Sequence, residues 1–309
     1  MVSPVDPFGR TDKLDDGMLE ALVLRFEARG KHPQFSKMLR DYLDAMDIAA
    51  TAKVLDIGCG TGLAARAIAR RTSFDGTITG VDLSPYLVAA AKRLATEEGI
   101  AARLEFRTGD VHKLDFSDNS FDALVAHTLL SHVEDPLSVL NEAARVVRPG
   151  GTVGIFDGDY ASLTFDHADP DKGKAYDEAL IHALVTNPRV MRQLPRLMRA
   201  AGLELLACFS YVLSEAGAAN FWSSAIEAYR KLVPKSGVMS EDEANAWAAA
   251  LRKDSDEGVF FGSSNYYAYV ARRPLGPYGH AASQERHAAD VQEPPPRLKR
   301  STLSGRTVR

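Results

Sequence analysis

Apolar residues fall at helical spacing twice before residue 50. In "DDGMLEALVLRFEARG" Met18, Leu22, Val23 and Phe26 share one stripe, with Asp15 or Asp16 as cap. In "FSKMLRDYLDAM" the stripe is Phe35, Met38, Leu39, Tyr42, Leu43 and Met46, the i, i+3, i+4 pattern of a helix face pressed on apolar surface. His32-Pro33 separates the two, because the residue before proline is pushed out of helical geometry. From Lys53 the period changes. Short apolar strands are predicted at 53–57, 77–82, 103–107, 121–127 and 152–157, with helices at 62–71, 85–98 and 136–147. Strands alternating with helices of ten or more residues imply parallel pairing with right-handed crossovers. Ser84-Pro85 reads as a helix start, and Pro149-Gly150-Gly151 stops a helix and turns the chain into a strand. Helices are predicted around 171–185 and 188–201. "LELLACFSYVLSE" and "GVFFGSSNYYAYVARR" then read as two strands, antiparallel at the sheet edge and joined through a helical insert at about 217–252.

The expectation is an α/β fold: a doubly wound, Rossmann-like, seven-stranded, mostly parallel sheet with helices on both faces. Residues 1–50 are expected as a helical cap, 51–273 as the main domain and 274–309 as a disordered tail, since the tail is rich in proline, serine and arginine.

Composition narrows the function. The chain has 309 residues, 45% hydrophobic and 25% charged, with a formal net charge of -4. That balance speaks against nucleic-acid binding, which needs concentrated Lys and Arg. The two cysteines, Cys59 and Cys208, offer neither zinc spacing nor a disulfide framework, so no metal is expected. No apolar run approaches a membrane span, and "MVSPVDPFGRTDK" lacks the apolar core of a signal peptide. A reducing, cytoplasmic setting is expected.

The chemistry concentrates in "KVLDIGCGTGLAARAIA", where Gly58, Gly60 and Gly62 follow a strand that ends near Asp56. Glycine permits positive φ and lets a ligand touch the backbone. The next strand ends in Asp82, roughly 20 residues on, where an acid can accept both ribose hydroxyls of an adenosine. Asp110 follows the third strand. In a doubly wound sheet these strand ends share one crevice. A glycine loop among carboxylates suits a ligand with an ammonium, a positive centre, a diol and an adenine amine. It suits a pyrophosphate poorly, because like charges repel.

"VLDIGCGTG", "GVDLS", "TGDVHKLDFSDNSFD" and "HTLLSHVEDPLSVLNEAARVVRPGG" resemble the successive motifs of class I S-adenosylmethionine-dependent methyltransferases, in particular the small-molecule group related to the ubiquinone and menaquinone methyltransferases. The resemblance is strong over about 50–157 and rests on element order over 158–272. It implies S-adenosylmethionine as cofactor. Asp56 and Gly58 would hold its amino-acid end, and Gly60 and Gly62 would give close backbone approach. Asp82 would take the ribose, Leu83 would lie against the adenine, and Asp110 with the amide of Val111 would meet its edge. His127 would sit beside the methyl group.

Methyl transfer from a sulfonium needs alignment of the acceptor and exclusion of water, and a base only if the acceptor must lose a proton. His127 and His132 are the nearest candidates. The acceptor pocket should come from the first fifty residues and the insert at about 217–252, and should include Asp157 and Tyr160 after the fifth strand, with Tyr211 and Trp222 from the later elements. An apolar pocket there would suit an aromatic, quinone-like or other small metabolite. Two other readings stay open: a non-catalytic cofactor-binding scaffold or sensor, and a nicotinamide-dependent oxidoreductase. The latter would want its third glycine one residue later.

Overall fold

The computed structural model describes residues 6 and 8–276. Almost all of the tail expected to be disordered therefore lies outside the described residues. Seven strands form one sheet: β1 (Lys53–Ile57), β2 (Thr77–Asp82), β3 (Leu104–Thr108), β4 (Phe121–His127), β5 (Val147–Phe165), β6 (Glu204–Gly217) and β7 (Phe260–Arg272). Their order is β3-β2-β1-β4-β5-β7-β6. The first five pair in parallel, while β7 is antiparallel to both β5 and β6. The order reverses between β1 and β4, and an open α/β sheet has its ligand crevice at that reversal, beyond the strand carboxyl ends.

Nine α-helices are described: α1 (Asp16–Lys31), α2 (Pro33–Ala45), α3 (Leu63–Ala69), α4 (Pro85–Glu97), α5 (Pro136–Val146), α6 (Pro170–Leu184), α7 (Val190–Ala200), α8 (Phe221–Leu232) and α9 (Glu241–Asp256). Their starts follow from local chemistry. Asp15, Ser84, Asp135 and Asp169 each accept backbone amides of the first turn, and Ser240 forms a capping box with Glu243.

Two apolar clusters cover the two faces of the sheet. On one, Val139, Leu140 and Ala143 of α5 and Met191, Leu194 and Met198 of α7 pack on Leu55, Leu124 and Ile155. On the other, α2, α6, α8 and α9 pack around Val54, Val125, Phe156 and Val270. Here the structure corrects an expectation. Among the described residues of 1–50, α2 is part of the main core and not of a cap. Phe35, Met38, Tyr42 and Met46 of α2 are at most 1% exposed and belong to that second core. Gly154 of β5 makes room for Met46, whose Sδ would collide with a Cβ at that position. β5 also runs past the expected 152–157, because β7 continues to pair with it as far as Phe165. The expected insert divides into α8 and α9.

Candidate active site

The crevice starts where β1 ends. Gly58, Gly60 and Gly62 all have positive φ, at 62°, 53° and 76°. The turn is tied down by Cys59 N–H donating to Val81 O (3.0 Å) and Gly62 N–H donating to Cys59 O (2.7 Å). Their surroundings differ. A Cβ on Gly62 would meet the Phe106 ring at 2.7 Å, so this glycine serves packing and does not line the crevice, contrary to the role expected for it. A Cβ on Gly60 would have only the Phe26 ring within 4 Å, at 3.5 Å, and Gly60 borders the cavity. Asp82, at the tip of the adjacent strand, accepts from Gly60 N–H (2.8 Å) and Ser84 N–H (2.9 Å). The acid expected near a ribose thus also fixes the glycine turn.

Two connected rooms occupy the crevice. The outer one, about 320 Å³, is lined by Gly58, Asp82, Leu83, Asp110, Val111 and His112, among others. Asp110 is largely exposed and accepts from the backbone N–H of His112 (2.9 Å). The inner room is tighter, about 90 Å³, and contains Asp56, Gly58, Gly60, His127, His132 and Tyr160. Phe8 and Thr11 line both rooms. This N-terminal stretch is held by Asp6, whose carboxylate accepts from Thr186 N–H (3.0 Å) and lies 3.0 Å from His132 Nδ1.

Electrostatics separate the expected roles. Asp56 is 1% exposed, and burial pushes its carboxyl up to about 7; the Ala65 amide (3.1 Å) opposes this and Asp82 adds to it. Burial also raises Asp82. His127 is driven well below its ordinary value, first by burial and then by the charge of Arg29, so it is a neutral imidazole. Its Nδ1 meets the Tyr42 hydroxyl (3.0 Å), while its buried Nε2 has no partner among the described residues. In His132, burial works against the charge, but Asp6 and Asp157 outweigh it and lift the ring above its ordinary value. A histidine held by a carboxylate is a structural tie for the N-terminal stretch, and it keeps its proton more tightly than a free imidazole does.

Three expected acceptor residues lie elsewhere. Asp157 is fully buried and spent on Ser131 N–H (3.0 Å), Ser131 Oγ (2.9 Å) and Gly158 N–H (2.8 Å). Trp222 is 1% exposed, packed edge-on against Phe165 and Phe221 in the core. Tyr211 sits on the edge strand and donates to Asp41 (3.0 Å). In their place the inner room has Arg25, Phe26 and Arg29 from α1, Tyr229 from α8 and Tyr266 from β7. Arg29 donates to Thr128 Oγ1 (3.0 Å), and its buried Nε has no partner among the described residues. Thr128, just past β4, has φ of 57°, an unfavourable conformation for a β-branched residue and a mark of strain beside the cavity. Arg25 and Arg29 stand one helical turn apart, a spacing that could have drawn notice in a stripe of apolar neighbours.

Among the described residues no group of three or more His, Cys, Asp or Glu is arranged to hold a metal ion, and no helix is long and apolar enough to cross a membrane.

Residues 55–155 match the family model of a methyltransferase domain. This stretch is a methyltransferase domain, and it carries the glycine turn, Asp82 and Asp110. The chain is 32% identical over 232 residues to a 37.1 kDa protein of transposon TN4556 from Streptomyces fradiae, covering 74% of this chain and 65% of that protein. It is 39% identical over 112 residues to the sterol 24-C-methyltransferase of Aspergillus fumigatus, covering 36% of this chain and 29% of the enzyme. The chain thus spans less than two thirds of the length of these relatives. Among solved structures, a Bacillus halodurans protein described as a methyltransferase superposes with a TM-score of 0.56 at 19% identity, over 77% of this chain and 99% of that one, a likeness of fold.

Proposed function

We propose that the protein is an enzyme that transfers the methyl group of S-adenosylmethionine to a small-molecule acceptor. The observation that carries this reading is the meeting of Asp82 with the backbone of Gly60 at the carboxyl edge of the sheet, where a positive-φ glycine turn leaves open space beside a carboxylate. The residues present fit the cofactor. Asp82 has lone pairs left for a ribose diol after its two amide bonds. Leu83 and Val111 offer apolar contact to a base, with Asp110 at its edge. Asp56 would hold the ammonium, and Arg29 the carboxylate, of the cofactor's amino-acid end.

The bound cofactor would supply an electrophilic methyl on a sulfonium. The protein's own part is binding, orientation and exclusion of water. Phe8 and Thr11 cover the rooms from the N-terminal side. His127 borders the inner room, and its conjugate acid is disfavoured by burial, so alignment carries more of the rate than proton removal.

The test is calorimetric titration with S-adenosylhomocysteine in the presence of a chelator, followed by incubation with methyl-labelled S-adenosylmethionine and a panel of small acids, phenols and amines. Saturable 1:1 binding and label transfer to a small molecule are expected. No heat at millimolar ligand would refute the reading.

A further inference from the structure

We propose that Arg25 is the anion-binding residue of the acceptor pocket, and that the acceptor is a small aromatic carboxylate. The proposal rests on the methyltransferase reading. Arg25 is 8% exposed; it donates to Ser224 Oγ (2.9 Å), lies by the Tyr229 hydroxyl, and has no carboxylate partner among the described residues. Its guanidinium lies 4.7 Å from the centroid of the Phe221 ring. A buried cation ordinarily has a carboxylate partner, because desolvation otherwise disfavours the charge. Arg66, also buried, shows the ordinary arrangement: it pairs with Glu27 (2.5 Å) and with Glu98. Glu27, next but one to Arg25 in sequence, is thereby spent on Arg66 and on Thr61 Oγ1 (2.7 Å). Burial and the like charge of Arg29 both work against Arg25.

The inner room therefore presents two guanidiniums to ligands. The cofactor brings one carboxylate. Arg29, bonded to Thr128 just past β4 and stacked near Phe26 beside the glycine turn, is placed for that one. Arg25, turned toward α8, is left for a second anion. The walls around it are the rings of Tyr160, Tyr229 and Tyr266, which favour a flat, unsaturated body. A guanidinium fork matches a carboxylate in two parallel hydrogen bonds.

The experiment uses the full chain saturated with S-adenosylhomocysteine, titrated with 4-hydroxybenzoate, methyl 4-hydroxybenzoate and phenyl phosphate. The acid should bind at least tenfold more tightly than its ester. Arg25→Gln should erase that preference while changing S-adenosylhomocysteine affinity less than twofold, and Arg25→Lys should keep part of it. Circular dichroism checks that both variants fold; a purely structural role would lower the melting temperature and leave the acid-over-ester ratio intact. Equal binding of acid and ester, binding of neither, or a preference that survives Arg25→Gln overturns the proposal. Tighter binding of phenyl phosphate than of the acid overturns the carboxylate assignment. Failure of S-adenosylhomocysteine itself to bind is a different result, and would count against the methyltransferase reading.

Discussion

The outer and inner rooms of the crevice are built on different plans. The outer room sets strand tips against the N-terminal stretch Phe8–Asp12. Asp82, Leu83, Asp110 and Val111 come from two adjacent connections, and each lies within three residues of a strand end. The inner room draws Arg25 and Arg29 from α1, His127 from β4, Tyr160 from β5, Tyr229 from α8 and Tyr266 from β7. Asp82 borders both rooms; Asp110 and Glu134 are found only in the outer one, and Arg25, Arg29 and three tyrosines only in the inner one. A strand–turn–helix unit carries its binding groups at fixed offsets, so the same local pattern binds the same cofactor. The acceptor room depends on how distant helices close over the sheet, and it is free to vary.

Substitutions in the glycine turn divide the two roles most sharply. Gly60→Val should abolish S-adenosylhomocysteine binding in a folded protein, a loss on the order of 3 kcal/mol or more, because the branched side chain fills the cavity wall and resists positive φ. Gly62→Val should act the other way round, destabilising the fold by roughly 2–4 kcal/mol through its clash with Phe106. Circular dichroism and calorimetry on both variants settle the division; an unfolded Gly60→Val variant would erase it.

Next in size is Asp82→Ala. Removing a charged hydrogen-bond acceptor should weaken S-adenosylhomocysteine binding by roughly 1.5–3 kcal/mol. Part of that loss comes through the glycine turn, since Gly60 N–H loses its acceptor. An unchanged dissociation constant would contradict the ribose assignment.

Asp56 adds a pH dependence. Its carboxyl is raised from 3.8 to about 7 in the free protein. The folded state therefore holds a proton that the unfolded chain releases, and the stability of the free protein should fall as pH rises from 4 through 7. An ammonium at this position favours the ionised form. S-adenosylhomocysteine binding should then strengthen with rising pH up to 7, by at most about tenfold per unit, and release a proton below it. Calorimetry in buffers of different ionisation enthalpy reads that proton directly. In Asp56→Asn both the slope and the proton should vanish. The smallest effect is expected for Tyr211→Phe, about 0.5–1 kcal/mol of stability from the lost bond to Asp41. Binding should not change, and a clear binding defect would bring β6 into the pocket after all.

The period of the apolar pattern, the caps and the glycine punctuation were enough to read the sheet, its antiparallel edge and a helical insert between β6 and β7, though not its division into two helices, because those signals are local. The acceptor side was not legible in the same way. Trp222 and Tyr211 look like pocket aromatics in sequence, yet one faces the core from α8 and the other bonds to Asp41 at the sheet edge. Asp157 looks like an open acid after a strand, and is consumed by Ser131. Arg25 and Arg29 look like ordinary helix-surface charges. In the fold Arg25 turns toward α8 and Arg29 toward Thr128, and neither has a carboxylate partner among the described residues.

A crystal structure with S-adenosylhomocysteine bound tests the central claim most directly. The account predicts the adenine between Leu83 and Val111, both ribose hydroxyls on Asp82, and the amino-acid tail between Asp56 and Arg29, with the sulfur facing the inner room. A nucleoside bound away from Asp82, or a tail that leaves the glycine turn untouched, would contradict it.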